Sequence, residues 1–213
     1  MSSEAIFEQL RDAVLNGKRK DAVKLCEDGL KAGVAGKDLL TRGLLVGMEE
    51  VGRRMRSEEY FIPEVLVGAR AMQSALEVIR EDLAQNPAAQ VGRVVIGTVS
   101  GDLHDIGKNL VAIMLTGAGF EVIDLGIDVT PARFVSTALE RKADAVAMSA
   151  LLTTTMVNMK EVVDELRKAH FEGKVVIGGA PVTQEFADKI GADLYAGDAS
   201  EGAEKLKALL QAA

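Results

Sequence analysis

From residue 3 to about residue 83 the apolar positions recur at helical spacing. Ile6, Phe7, Leu10 and Val14 mark one stripe, and Leu44, Met48, Val51 and Met55 mark another. No strand-like alternation interrupts them. The breaks fall at Asn16-Gly17, between Gly29 and Gly36, and across Arg56 to Pro63. Pro63 suits the start of a last helix through Val65, Leu66, Ala69, Met72 and Leu76, because the N–H that proline lacks would be unpaired there anyway. The pattern predicts four helices in a small bundle.

Residues 84–92, AQNPAAQVG, are polar and contain a proline that stops the helical pattern. A boundary between two domains, 1–88 and 89–213, is placed in this stretch. Beyond it, short β-branched runs alternate with longer helical patterns. Strands are predicted at 94–99, 120–123, 145–148, 175–177 and 194–196, each followed by a helix. The runs are near-continuously apolar, as expected for parallel strands covered on both faces. Five such units predict an α/β flavodoxin-like (Rossmann-like) domain with a five-stranded parallel sheet in the order 2-1-3-4-5. In that order a ligand sits between strands 1 and 3, where the loops after Val99 and Met148 meet.

The composition, 48% hydrophobic and 27% charged, is that of a folded chain and too apolar for disorder. A net charge of -7 without a long Lys/Arg run leaves little basis for binding nucleic acid or an anionic membrane. Cys26 is the single cysteine, so an internal disulfide is impossible, and its apolar helical setting makes it a core thiol suited to a reducing compartment. The N-terminus lacks the basic and apolar regions of a signal peptide, and no stretch is long enough to span a bilayer. A cytoplasmic location is expected.

Against this background two loops stand out. The first, Ser100-Gly101-Asp102-Leu103-His104-Asp105-Ile106-Gly107-Lys108-Asn109, puts one of two histidines between carboxylates at the mouth of the sheet. With Asp102 two residues before His104, its carboxylate can accept a hydrogen bond from one ring nitrogen and leave the other free for a metal. Gly101 and Gly107 would allow the backbone turns. The plain alternative is a histidine that caps a helix. Lys108 reads as solvated and Asp105 as a candidate rim contact. In the second loop, Thr154 reads equally as the N-cap of a helix beginning near Met156. His170, near a helix end, is read as structural.

Asp102-x-His104-x-x-Gly107 after a first strand resembles the signature of cobalamin-binding domains. The loops Ser149-Ala150-Leu151-Leu152-Thr153-Thr154-Thr155 and Gly178-Gly179-Ala180-Pro181 are similar to further signatures of that family. The resemblance implies a base-off corrinoid with His104 as the lower cobalt ligand. It implies that Asp102 and Thr155 form a relay to that ligand, Thr155 standing where methionine synthases have serine. Gly101, Leu103, Asp105, Ile106 and Gly107 would line the cofactor. Ser149, Leu151, Thr153, Gly178 and Gly179 would accommodate its displaced nucleotide tail, which bulk at either glycine would obstruct.

In the helical half, Val51-Gly52-Arg53-Arg54-Met55 and Tyr60-Phe61-Ile62-Pro63-Glu64 look like the cap module over methylcobalamin. Met55, where methionine synthases have phenylalanine, and Ile62 would shield the methyl group, although periodicity alone reads both as core. The bundle would then move about Asn86-Pro87.

A bundle plus a cobalamin domain resembles the small corrinoid proteins of multi-component methyltransferase systems in one-carbon metabolism. By that resemblance the chain is a methyl carrier cycling between Co(I) and methyl-Co(III), unable to complete catalysis alone. One substrate-specific methyltransferase would load it from a methylamine, methanol, betaine or aryl methyl ether, the choice resting with that partner. A second would unload it to tetrahydrofolate or a thiol, and a reductive activation protein would restore Co(I).

Two other readings share parts of this pattern. A cobalamin-dependent sensor typically adds a helix-turn-helix before the bundle, whereas this chain begins almost at it. The small subunit of a carbon-skeleton mutase usually lacks the cap. A phospho-receiver would want an aspartate ending strand 3, where Ser149 stands, and no G-x-G-x-x-G follows strand 1 to hold a dinucleotide.

Overall fold

The computed structural model describes residues 2–85 and 91–211. It divides into two units, Met1–Gln90 with Gly117–Gly119, and Val91–Thr116 with Phe120–Ala213. The Asn86-Pro87 segment, and with it the boundary expected after residue 88, lies outside the described residues. Among the described residues no helix is long and apolar enough to cross a membrane.

In the helical unit, α1 (Ser3–Leu15) is capped by Ser2, whose hydroxyl accepts from the Ala5 N–H at 3.4 Å. After α2 (Arg19–Lys31), one helical stretch runs through α3 (Gly36–Asp38), a π-helical turn (Leu39–Leu44) and α4 (Leu45–Arg56). α5 (Ile62–Gln85) follows, with Pro63 in its first turn. The four predicted helices are present, the third carrying a π turn that a 3.6-residue period does not reveal. Ile6, Phe7, Leu10, Val14, Leu44, Met48, Val51 and Val65 are buried together with Cys26, whose thiol burial pushes up to about 12. A Cβ on Gly47 would lie 2.9 Å from the Arg11 carbonyl oxygen, so the close crossing of α1 and α4 requires glycine.

Two candidate cap residues that the periodicity places in this core lie outside it. Met55 is half-buried and Ile62 is exposed, contrary to the periodicity. They stand in the last turn of α4 and at the start of α5, where the apolar stripe runs past the end of the packed helices.

On the surface of α4, Glu50 accepts hydrogen bonds from Arg53 at 2.7 Å and Arg54 at 2.8 Å, which lower its pKa from 4.5 to about 2. A lowered folded-state pKa means the pair stabilises fully above about pH 4.5 and is lost as pH falls toward 2. The pair is solvent-accessible, so the effect on stability should be small. Urea midpoints measured between these pH values should converge for wild type and Glu50→Gln at the acid end.

The second unit is an α/β sandwich. β1 (Arg93–Thr98), β2 (Glu121–Asp124), β3 (Ala145–Ser149), β4 (Lys174–Gly178) and β5 (Leu194–Ala196) pair in parallel in the order β2-β1-β3-β4-β5. The crossovers are α6 (Ile106–Gly117), α7 (Pro131–Glu140), α8 (Thr153–Met156) with α9 (Asn158–Lys168), and α10 (Gln184–Ile190), with α11 (Ala199–Gln211) last. Each predicted strand is present within a residue or two at its ends. Val99 leaves the sheet and bridges Val129. β1 and β3 are buried along nearly their whole length, because helices cover both faces. Val95, Phe134, Val146, Met159, Leu166 and Ile177 build the core on one side. The order in which strands are added reverses between β1 and β3, β2 lying on one side of β1 and β3 to β5 on the other, so the carboxyl-end loops of β1 and β3 flank a crevice.

Candidate cofactor-binding site

β1 ends at Thr98, and residues 102–105 form neither helix nor strand before α6 begins. Gly101 takes φ +80, which aims the following Asp102 back into the sheet. Asp102 is fully buried. Its Oδ1 accepts from His104 Nδ1 at 2.7 Å and from the His104 N–H at 3.1 Å. Its Oδ2 accepts from Thr155 Oγ1 at 2.6 Å and from the Leu151 N–H at 2.8 Å. The loops after β1 and β3 are thus tied by one carboxylate, and His104, Asp102 and Thr155 form a continuous hydrogen-bonded chain.

The electrostatics determine how that chain is protonated. Burial by itself would raise the pKa of Asp102. Hydrogen bonds from Thr155, the Leu151 N–H and His104 outweigh it and hold the carboxyl well below the usual carboxylate range. An ionised carboxylate only accepts, so His104 Nδ1 carries the proton. In the neutral ring Nε2 then has its lone pair free, and it has no partner among the described residues. The His104 side chain is half exposed, so this nitrogen can be reached.

The other expected site residues are distributed unevenly. Leu103, Asp105, Ile106 and Gly107 are exposed on the same loop and the first turn of α6. Gly107 is helical, and a Cβ there would meet nothing within 4 Å; its value is open space rather than a backbone turn. Ser149 ends β3 half-buried, and its carbonyl accepts from the Val99 N–H at 3.1 Å. Thr153 is exposed in the first turn of α8.

Leu151 contributes its backbone N–H to Asp102 while its side chain faces solvent. Thr154 is not the N-cap. Leu152 holds that position in extended conformation, without a side-chain cap bond, because the helix begins three residues earlier than the apolar pattern indicates. Gly178 ends β4 and Gly179 follows it. A Cβ on Gly179 would fall 1.8 Å from the Ala150 carbonyl oxygen, so this glycine is required by the backbone itself.

Lys108 is not solvated: it is 2% exposed and ion-paired with Asp124, with Asn109 Oδ1 at 2.6 Å. Two further residues hold the loop. Thr98 Oγ1 donates to the His104 carbonyl at 2.8 Å, and Asn158 Nδ2 donates to the Ser100 carbonyl at 2.8 Å. A hydroxyl at the end of an otherwise apolar strand is the one sequence signal for Thr98; Asn158, distant in sequence, offers none. His170 takes φ +55 after α9 and donates its N–H to the Arg167 carbonyl at 3.0 Å, a helix-ending role.

The donor set fits a corrinoid better than a bare ion. Among the described residues no group of three or more His, Cys, Asp or Glu could hold a metal. His104 would offer one ligand, whereas a corrinoid brings its own equatorial nitrogens. The surroundings suit a large, partly apolar ring. Leu103, Ile127, Leu151 and Leu152 on the loops that follow β1, β2 and β3, Ile106 at the start of α6 and Val157 between α8 and α9 are all exposed. Elsewhere in this unit Leu139 is the one large apolar residue so exposed among the described residues. Such a collar of apolar side chains around one polar ligand is the usual form of a cofactor site.

Comparison with known proteins agrees with this geometry. Two family models, each described as a B12 binding domain, match residues 92–207 and 6–80. Trimethylamine corrinoid protein 1 of Methanosarcina acetivorans is 42% identical over 213 residues, covering 98% of this chain and 99% of that protein. Dimethylamine corrinoid protein 1 of the same organism is 42% identical over 213 residues, covering 99% and 100%. Among solved structures, the methanol:cobalamin methyltransferase complex MtaBC from Methanosarcina barkeri superposes with a TM-score of 0.89 at 29% identity. That match covers 100% of this chain and 82% of the compared one. The chain belongs to the B12-binding corrinoid proteins of methyltransferase systems.

Proposed function

We propose that this chain binds its corrinoid base-off with His104 Nε2 as the lower ligand of cobalt, and that it carries methyl groups between two partner methyltransferases. The observation that carries the reading is the buried, ionised Asp102, which fixes the proton of His104 on Nδ1 and leaves Nε2 unprotonated and accessible. When bound, the corrinoid supplies a cobalt centre able to take up a methyl group and release it.

The chain's own residues orient and shield. Asp102 and Thr155 hold the imidazole in one tautomer and one rotation. Leu103, Ile106, Leu151 and Leu152, exposed around His104, would supply apolar contact to a bound corrinoid and exclude water from its side. Gly101 and Gly107, where an added Cβ would meet nothing closer than 3.7 Å, would leave space for the ring, and the exposed Asp105 would contact its rim. Ser149, Thr153, Gly178 and Gly179 would accommodate the nucleotide tail. Met55, half-buried, and Ile62, exposed, would shield the methyl group.

The similarity to proteins named for trimethylamine and dimethylamine supports a methylated amine as donor, delivered by its own methyltransferase. Tetrahydrofolate or a thiol is the acceptor class through a second methyltransferase, and a reductive activation protein restores Co(I), in the cytoplasm.

The test is anaerobic reconstitution with methylcobalamin, removal of free cofactor, and comparison of absorption spectra for wild type and His104→Ala. Wild type should retain a base-off, histidine-ligated spectrum, and the variant should lose the ligation and bind about 10- to 100-fold more weakly. Identical spectra for the two proteins would remove His104 from the cobalt.

A further inference from the structure

The loop that carries His104 has little regular structure of its own, so its shape is imposed from elsewhere, and much of that comes from the loop between β2 and α7. Asp128 Oδ1 accepts from the Gly101 N–H at 2.7 Å, with the Ser100 hydroxyl at 3.5 Å. The Asp128 N–H donates to the Asp102 carbonyl at 3.1 Å. These contacts bracket the turn at Gly101 that sends Asp102 into the sheet. Asp128 itself adopts φ +51, a left-handed conformation that aspartate, asparagine and glycine tolerate best.

The bracing loop is in turn anchored at both ends. At its start, buried Lys108 pairs with Asp124, whose Oδ1 accepts from the Gly126 N–H at 2.8 Å. The Thr98 N–H donates to the Gly126 carbonyl at 3.0 Å, and the Val129 N–H donates to the Thr98 carbonyl at 2.9 Å. Thr98 also holds the His104 carbonyl through its hydroxyl. A continuous set of contacts therefore leads from α6 and β2 through Asp128 to the Asp102–His104 pair. A ligand nitrogen has to be held within tenths of an ångström, and supporting residues of this kind decide whether it is.

We propose that Asp128 is a positioning residue that acts through the Gly101 turn to set Asp102 and, with it, the tautomer and rotation of the His104 ring. The consequence for cobalt rests on the reading of His104 as its ligand; the consequence for the ring does not. Asp128→Gly removes the carboxylate without backbone strain, since glycine accepts a positive φ. Asp128→Asn keeps an acceptor oxygen in a residue that tolerates the same conformation.

The first readout needs no corrinoid. Long-range 1H–15N spectra of the apo protein at about pH 8, above the ordinary histidine pKa, report the ring tautomer. His170, the other of the two histidines, serves as an internal reference. Wild type and Asp128→Asn should show His104 with the proton on Nδ1, and Asp128→Gly should show it shared between the two nitrogens, with His170 unchanged. The second readout is methylcobalamin binding. Asp128→Gly should bind about tenfold more weakly with a smaller histidine-ligated fraction, and Asp128→Asn should recover to within about threefold.

A His104 ring in Asp128→Gly indistinguishable from wild type would overturn the proposal, as would an asparagine variant as impaired as the glycine one. A ring that responds as expected, in a wild-type protein lacking histidine-ligated corrinoid, would support the positioning role and remove the cobalt ligand reading instead.

Discussion

Gly179→Ala should destabilise the α/β unit by more than about 3 kcal/mol and abolish retention of methylcobalamin. Gly179 has φ +131, a region that side chains rarely occupy, and a Cβ there would lie 1.8 Å from the Ala150 carbonyl oxygen. That contact is with backbone, so no rotamer change relieves it. The loop after β4 must move by more than an ångström, breaking the approach of β4 to the segment that supplies the Leu151 N–H.

Gly178 offers the internal comparison. Its Cβ would lie 3.1 Å from the Ala196 carbonyl oxygen, which a shift of a few tenths of an ångström accommodates. Gly178→Ala should therefore fold at a cost of about 1 kcal/mol or less and show its effect mainly on corrinoid binding. Urea unfolding followed by circular dichroism is the appropriate measurement, since the chain has no tryptophan. Equal midpoints for Gly179→Ala and wild type would refute the steric argument.

Asp102→Asn should cost about 2–3 kcal/mol although it changes almost no volume. Asp102 accepts four hydrogen bonds, two on each oxygen, from His104 Nδ1, the His104 N–H, Thr155 and the Leu151 N–H. An asparagine amide must turn its NH2 toward one of these pairs. If it faces Leu151, a partly buried backbone N–H loses its partner; if it faces His104, the ring is driven to the opposite tautomer and Nε2 is protonated. Thr155 has an alternative, since its hydroxyl already lies 3.1 Å from the Leu152 carbonyl. The two N–H groups have none, and a buried donor without a partner costs about 1–3 kcal/mol.

Unfolding midpoints and the His104 ring tautomer should change together in this variant. A stable Asp102→Asn protein with the proton still on Nδ1 would show that the carboxylate is not what holds the ring.

Periodicity alone was enough to recover the helical unit and the sheet. Apolar residues at 3.6-residue spacing can be satisfied only by burying one helical face, and unbroken β-branched runs only by strands covered on both sides. The order β2-β1-β3-β4-β5 followed from five βα units, and the crevice between β1 and β3 followed from that order. Asp102 and His104 were legible as a pair because their contact is local: a carboxylate two residues from a histidine can reach its ring.

What the sequence could not state is how distant segments meet. Thr155, joined to Asp102 beforehand only by a family resemblance and by no local pattern, stands 53 positions from it, Asn158 stands 58 from Ser100, and Asp128 stands 27 from Gly101; each contact exists because parallel strands place their carboxyl ends side by side. The same is true of Lys108, whose charge suggested solvent until the sheet placed Asp124 beside it. It is true of Met55 and Ile62, whose spacing suggested a core that ends before reaching them. Local patterns carry information about which face of an element is buried and about neighbours within a few residues. The partner across the crevice, the charge that matches a buried lysine and the limit of the core are set by chain-distant packing, and only the tertiary structure decided them.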